Sequence, residues 1–129
     1  YKGNVAGSQP EFSFHWHGTS DKIFLFEAPI DMLSYISMHK ENWKSHSYAA
    51  SCSVSDRVLF QCLKDNPNIK NVFLCFDNDE AGQTANKRIA GKLNKLNIQN
   101  EILIPTHKDW NEDLTLSEKG DERICHQVL

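Results

Sequence analysis

The run Val72-Phe73-Leu74-Cys75-Phe76 constrains the fold more than any other stretch, because it is apolar throughout and stops at two acids, Asp77 and Asp79. A strand with apolar side chains on both faces is the habit of a parallel sheet covered by helices. Carboxylates at i and i+2 of extended chain project to one side, so Asp77 and Asp79 can share a partner. A long amphipathic pattern begins at Glu80. The acids therefore sit where a strand hands over to a helix, the edge at which open α/β sheets collect ligands. Asp79 also suits a helix cap. Capping accounts for one carboxylate and leaves Asp77 unexplained.

Upstream, Phe12, Phe14 and Trp16 alternate with polar residues, as in a half-buried strand, and put His15 and His17 together on its other side. Two imidazoles at that spacing can chelate zinc, but no third ligand lies nearby in sequence, so a solvent-facing pair is the favoured reading. Lys22 to Phe26 is a second apolar strand, ending in Glu27. Pro29 then opens a helix with Asp31 in its first turn and Met32, Leu33, Tyr35 and Ile36 as its apolar side, running to about Lys40. Asp31 reads better as a helix-start acid than as a ligand. Ser47 to Cys52 is a weaker strand, and Ser53-Val54-Ser55-Asp56 starts a helix whose stripe is Val58, Leu59, Cys62 and Leu63, stopped by Pro67.

After the central strand, Ala81, Ala85, Ile89, Leu93 and Leu96 form a helical stripe flanked by Arg88, Lys92 and Lys95. That basic flank fits either a solvated face or the approach of a phosphate backbone. Glu101 to Pro105 is a fourth short strand, followed by a polar, acidic loop from Thr106 to Leu114 around Trp110; 115–129 shows little period. Strands alternating with helices imply an α/β fold, an approximately four-stranded parallel sheet with helices on both faces and an extra strand in front.

At 129 residues the chain suits one domain. Its core is expected over about 22–114, with a β extension over 1–21 and a tail over 115–129. Starting at Tyr1 rather than Met, it is expected to be a piece of a longer protein. No apolar run approaches the ~20 residues that cross a bilayer, and no secretory signal pattern is present. The four cysteines show no C-x-x-C spacing and read as free thiols in a reducing cytoplasm. A net charge of -3 argues against a general polyanion-binding surface, and a phosphate-bearing partner would need a cation at the acids.

Glu27, Asp77 and Asp79 all leave carboxyl ends of strands, and adjacent strands are only ~4.8 Å apart. The three converge if the Lys22 strand lies beside the central one. Without a cation they repel and raise one another's pKa. Hard oxygen ligands favour Mg²⁺, with Mn²⁺ as a substitute, and the chemistry that follows is phosphoryl transfer, with Glu27 as general base or acid.

These segments resemble the Toprim domain of bacterial primases, topoisomerases, OLD-family nucleases and recombination mediators. Phe-Leu-Phe-Glu27-Ala-Pro-Ile-Asp31 is similar to its glutamate motif, and Phe76-Asp77-Asn78-Asp79-Glu80-Ala81-Gly82 to its DxD motif in the primase flavour. Lys108-Asp109-Trp110-Asn111-Glu112-Asp113 resembles the Lys-Asp-Pro-Asp-Glu segment of primases. The resemblance covers about Lys22 to Leu114, with the flavour of Toprim-like domains from primase-type proteins of plasmids and conjugative elements. It implies Glu27, Asp77 and Asp79 as catalytic and metal-binding residues, Asp109 as a further metal ligand, and Asp31, Glu112 and Asp113 as weaker ones. Lys108, Arg88, Lys92 and Lys95 would meet nucleic acid. Implied partners are DNA as template or primer, nucleotides, and other domains of the parent protein. The chain departs from the family at Ala28, where Gly is common, at Asn111, where a second acid stands, and at Ser51-Cys52-Ser53, which replaces a Gly-Thr segment. A primase-like nucleotidyl-transfer domain is therefore the expectation. An OLD-like nuclease is the enzymatic alternative, and a binding or assembly module the non-enzymatic one. A phosphoacceptor receiver domain fits worse, because it needs its acidic pair after the first strand.

Overall fold

The computed structural model describes residues 15–52 and 55–117. In chain order the elements are β1 (His15–Trp16), β2 (Lys22–Phe26), α1 (Pro29–Met38), a 3₁₀ turn (Trp43–Ser45), β3 (Ser47–Ala50), α2 (Arg57–Asp65), β4 (Asn71–Cys75), α3 (Glu80–Lys95) and β5 (Gln99–Ile102). A last helix, α4, covers residues 110–117.

The strands form one sheet in the order β1-β3-β2-β4-β5. β3, β2, β4 and β5 are parallel, and β1 joins the β3 edge antiparallel. β2 and β4, which the acids require to be neighbours, are paired from Lys22 opposite Asn71 to Phe26 opposite Cys75. Alternation along the strands divides the core in two. Ile23, Leu25, Ala49, Val72 and Leu74 face Val58, Leu59 and Cys62 of α2 and Ala85, Ile89 and Leu93 of α3. Phe24, Phe26, Tyr48, Ala50 and Cys75 face Met32 and Tyr35 of α1 and Trp110 of α4. Phe24 stacks on Phe73 and Tyr48, with ring centres 4.6 and 5.4 Å apart. Helices thus cover both faces, as the alternating pattern requires.

Several expectations shift. Phe12 and Phe14 lie outside the described residues, and Trp16 is exposed, resting on Trp43 with ring centres 5.2 Å apart. Leu33 is exposed because α1 turns Ser34 and Asp31 inward instead. Ala81 and Leu96 are exposed too, and the inward side of α3 runs through Gly82, Ala85, Asn86, Ile89 and Leu93. The fourth strand is Gln99–Ile102, earlier than Glu101 to Pro105, because β5 must reach back to pair Gln99 with Asn71 at the far end of β4. Residues 110–117, expected to be loop and unpatterned tail, are helical because α4 has a buried anchor rather than a periodic stripe. Asp56 is the N-cap residue of α2, but its side chain makes no cap bond. It pairs with Lys92 at 2.6 Å, and Ser55 Oγ accepts from the Arg57 N–H instead. Among the described residues, no helix is long and apolar enough to cross a membrane.

Candidate functional site

The acids singled out by sequence follow the carboxyl ends of three parallel strands: Glu27 and Asp31 come after β2, Asp77 and Asp79 after β4, and Asp109, Glu112 and Asp113 after β5. The chain is tied down there from three sides. The Ser51 N–H at the end of β3 donates to Phe26 O at 3.0 Å. Asp79 caps α3, its Oδ1 accepting from the Gly82 N–H at 2.8 Å, and Gln83 Nε2 donates to Asp77 O at 3.2 Å. The capping role expected of Asp79 is real, and it occupies only one of that residue's oxygens.

The third tie is the segment after β5. The Asn78 N–H donates to Lys108 O at 2.7 Å, and Asn78 Nδ2 to Pro105 O at 3.3 Å. Trp110 then enters the core. It is 8% exposed, meets Phe26 and Tyr35 edge to face, and donates from Nε1 to Cys75 O at 3.0 Å. This anchor clamps the acidic segment to the end of the central strand, a role its single-residue sequence signal did not reveal. Trp110→Phe keeps an aromatic ring but loses the indole N–H and part of the packed volume, and takes the donor from Cys75 O. It is expected to lower unfolding stability by about 1 to 2 kcal/mol in urea titrations and to loosen the Lys108–Asp109 segment.

The electrostatics centre on Asp77. Burial, followed by the charges of Glu27, Asp31, Asp109 and Asp79, pushes its carboxyl up from 3.8 to about 7. Glu27 is raised by burial and then by Asp79 and Asp31, against the Asp77 backbone N–H and Lys108, which pull it down. Asp31, expected to be a plain helix-start acid, is 3% exposed and raised by burial, then by Asp109. Its Oδ1 accepts from the Asn111 N–H at 3.2 Å, and its carboxyl also interacts with that of Asp77. Asp31 is therefore part of the cluster. Ser34 Oγ donates to Asn111 Oδ1 at 3.3 Å, so Asn111 joins α1 to α4.

The remaining predicted residues divide. Asp109 caps α4, accepting from the Glu112 N–H at 2.8 Å, and still reaches Asp77 and Asp31 through its charge. Asp113 staples the loop, taking the Thr106 and His107 N–H groups at 2.8 Å each and His107 Nδ1 at 2.6 Å. Partial burial alone would raise its carboxyl; the bonds from His107 and Thr106 outweigh that and hold it below its ordinary value. Glu112 is exposed on α4. Lys108 is exposed and its charge reaches Glu27. Lys92 is held by Asp56, while Arg88 lines a shallow depression with Glu80, Ala81 and Thr84 beside the start of α3.

Two atoms define what the site lacks. Glu27 Oε1 and Asp77 Oδ1 are buried and have no hydrogen-bond partner. A buried, unpaired carboxylate oxygen costs several kcal/mol, and these groups respond by holding protons more tightly. An oxygen-only donor set with two orphaned oxygens fits a hard divalent cation that keeps most of its waters. Among the described residues, no three His, Cys, Asp or Glu side chains stand close enough together to form a closed metal cage. The fit is to an open site carried by two carboxylates.

A Toprim-like family model matches residues 24–114, which takes in the glutamate strand, the DxD turn and the segment around Trp110. Two solved structures share the fold. One is the primase fragment of the bacteriophage T7 primase-helicase protein, 22% identical over 88% of this chain and 46% of that one, with a TM-score of 0.58. The other shows the primase domains of two T7 gp4 subunits, bound to an RNA/DNA hybrid and dTTP, with the lagging-strand DNA polymerase. There the identity is 23% over 88% of this chain and 55% of that one, and the TM-score is 0.59. The chain thus spans about half the length of these structures. No curated protein sequence gives a significant match. With Glu27, the DxD turn and the Trp110 segment all inside a match that covers most of its length, the chain belongs to the Toprim-like family.

Proposed function

We propose that this chain is the catalytic domain of a primase-like protein, a Mg²⁺-dependent nucleotidyl-transfer module that acts on DNA template and primer with nucleotides. The observation that carries the reading is the pair of orphaned carboxylate oxygens, Glu27 Oε1 and Asp77 Oδ1, inside a cluster of five acids at the carboxyl edge of the sheet. The likeness to primase domains supports it at the level of fold.

Glu27 and Asp77 would hold the cation, with Asp79 and Asp109 adding negative charge beside it. When bound, the metal neutralises phosphate charge and lowers the pKa of a coordinated oxygen. Asp31, buried behind Asp77, keeps that carboxylate oriented and adds negative charge that favours the cation. Glu27, with its raised pKa, suits the exchange of a proton with the attacking or leaving oxygen. Lys108 stands where its charge meets a phosphate approaching Glu27. The Arg88 and Lys95 flank of α3 is the approach proposed for the nucleic-acid backbone. Buried free thiols at Cys62 and Cys75 suit a reducing cytoplasm, and the parent protein would be of the type carried by plasmids and conjugative elements.

The test is metal-dependent primer synthesis by the parent protein. Glu27→Gln and Asp77→Asn are each expected to lower the rate by at least 10²-fold; unchanged synthesis would sink the reading. Cleavage of plasmid or single-stranded DNA without nucleotides would point instead to a nuclease using the same acids. DNA binding indifferent to metal and to both substitutions would mark an assembly module.

A further inference from the structure

His15 in the edge strand β1 and His17 just after it flank Trp16, away from the acidic cluster's strands. Trp16 turns toward Trp43, and the two histidines turn toward the carboxyl end of α2. Their ring centres are 4.7 Å apart with the rings tilted by 59°. A metal–imidazole nitrogen bond of about 2.0–2.1 Å puts a ring centre about 3.2 Å from the ion, so two rings bound at angles between 90° and 109° have centres roughly 4.5 to 5.2 Å apart. The observed spacing falls within that range before any ion is added.

The surroundings favour a cation. Asp65, the last residue of α2, is close enough for its charge to act on His15, and the end of a helix carries a partial negative charge. Asn66 Nδ2 lies 3.0 Å from His17 Nδ1 and 3.0 Å from Cys62 O. Donating to both, the amide leaves Nδ1 of His17 unprotonated. A metal taking that nitrogen replaces one neutral hydrogen bond and leaves the amide its bond to Cys62.

We propose that His15 and His17, beside Asp65, form a second cation site, a two-imidazole chelate for a first-row transition-metal ion of the Cu²⁺, Ni²⁺ or Zn²⁺ type. It is distinct in place and chemistry from the carboxylate site, since paired imidazoles select borderline metals and oxygen clusters select Mg²⁺. Among the described residues no third His, Cys, Asp or Glu completes a ligand set there, which makes the proposed chelate an open one. The proposal does not depend on the nucleotidyl-transfer reading.

Cu²⁺, the strongest binder of nitrogen sites in its row, is the probe. It is titrated into the full chain in a Cys52→Ser background, because Cys52 is an exposed thiol. The expected result is one tight site whose paramagnetic resonance spectrum shows coupling to two imidazole nitrogens. His15→Ala and His17→Ala should each weaken it at least tenfold, and the Glu27→Gln, Asp77→Asn double variant should leave it unchanged. Both histidines are exposed, so these variants keep the fold, which circular dichroism checks; His15→Gln repeats the test with a side chain of similar length. Equal affinity in wild type and both alanine variants, coupling to a single nitrogen, or loss of the site in the carboxylate double variant would each overturn the proposal.

Discussion

Asp77→Asn is expected to make the metal-free protein more stable at pH 8 while abolishing its response to magnesium. The folded carboxyl titrates at about 7 against an ordinary 3.8, so between those values the folded chain holds a proton that the unfolded chain has released. Stability therefore falls as pH rises from about 4 to about 7, and stays low above that. An amide carries no charge to desolvate and does not repel Glu27 or Asp31. Discounted for partial solvent screening at this half-buried site, relief of about 1 kcal/mol raises the melting temperature by roughly 4 °C at pH 8 and flattens its slope between pH 5 and 8. At the proposed site, magnesium at a hundred times its dissociation constant is expected to add about 2.7 kcal/mol to wild type, a gain the variant should lose. Melting curves with and without magnesium at pH 5, 6.5 and 8 measure both effects. Equal melting temperatures at pH 8, with the same magnesium shift in both proteins, would remove Asp77 from the centre of the site.

Gly82→Ala is the second large effect. A Cβ at this position would lie 2.2 Å from Asp77 O and 3.0 Å from both Asp77 C and N. These are backbone atoms, so no side-chain rotation relieves the clash. The first turn of α3 must lift, breaking the Asp79 cap and the Gln83 bond to Asp77 O. A loss of about 3 kcal/mol is expected, the upper range for overpacking, together with displacement of the DxD turn. Gly91 is the control: nothing lies within 4 Å of a Cβ there, and Gly91→Ala should stabilise the helix by up to about 1 kcal/mol. Urea unfolding of both variants compares them directly; equal effects would mean that the contact of α3 with Asp77 is not close.

Most of the fold was legible because its signals are local and strong. The apolar runs Ile23 to Phe26 and Val72 to Phe76, each stopping at an acid, pointed to the parallel sheet and to the edge from which Glu27, Asp77 and Asp79 emerge. Pro29 and Asp79 marked two helix starts within a residue. The motif around Glu27 and the DxD, read together, pointed to the family that residues 24–114 match.

What sequence alone determined was therefore the alternation of elements, the side of the sheet on which chemistry collects, and the identity of the acids that end the strands. Tertiary structure alone decided how those acids are used. Asp31 looks like an ordinary first-turn residue, and only the packing of α1 against α4 buries it beside Asp77. Asp109, Asp113 and Glu112 crowd one short acidic segment in the sequence, yet one caps a helix within reach of the cluster, one staples a loop, and one faces solvent. The inward side of α3, with Gly82 against the Asp77 backbone and Asn86 buried without a partner, depends on where the helix axis lies over the sheet. Hydrophobic period is a property of neighbours along the chain. Burial, cap choice and carboxylate pKa depend on atoms brought close from far apart in sequence, and those distances exist only once the sheet has formed.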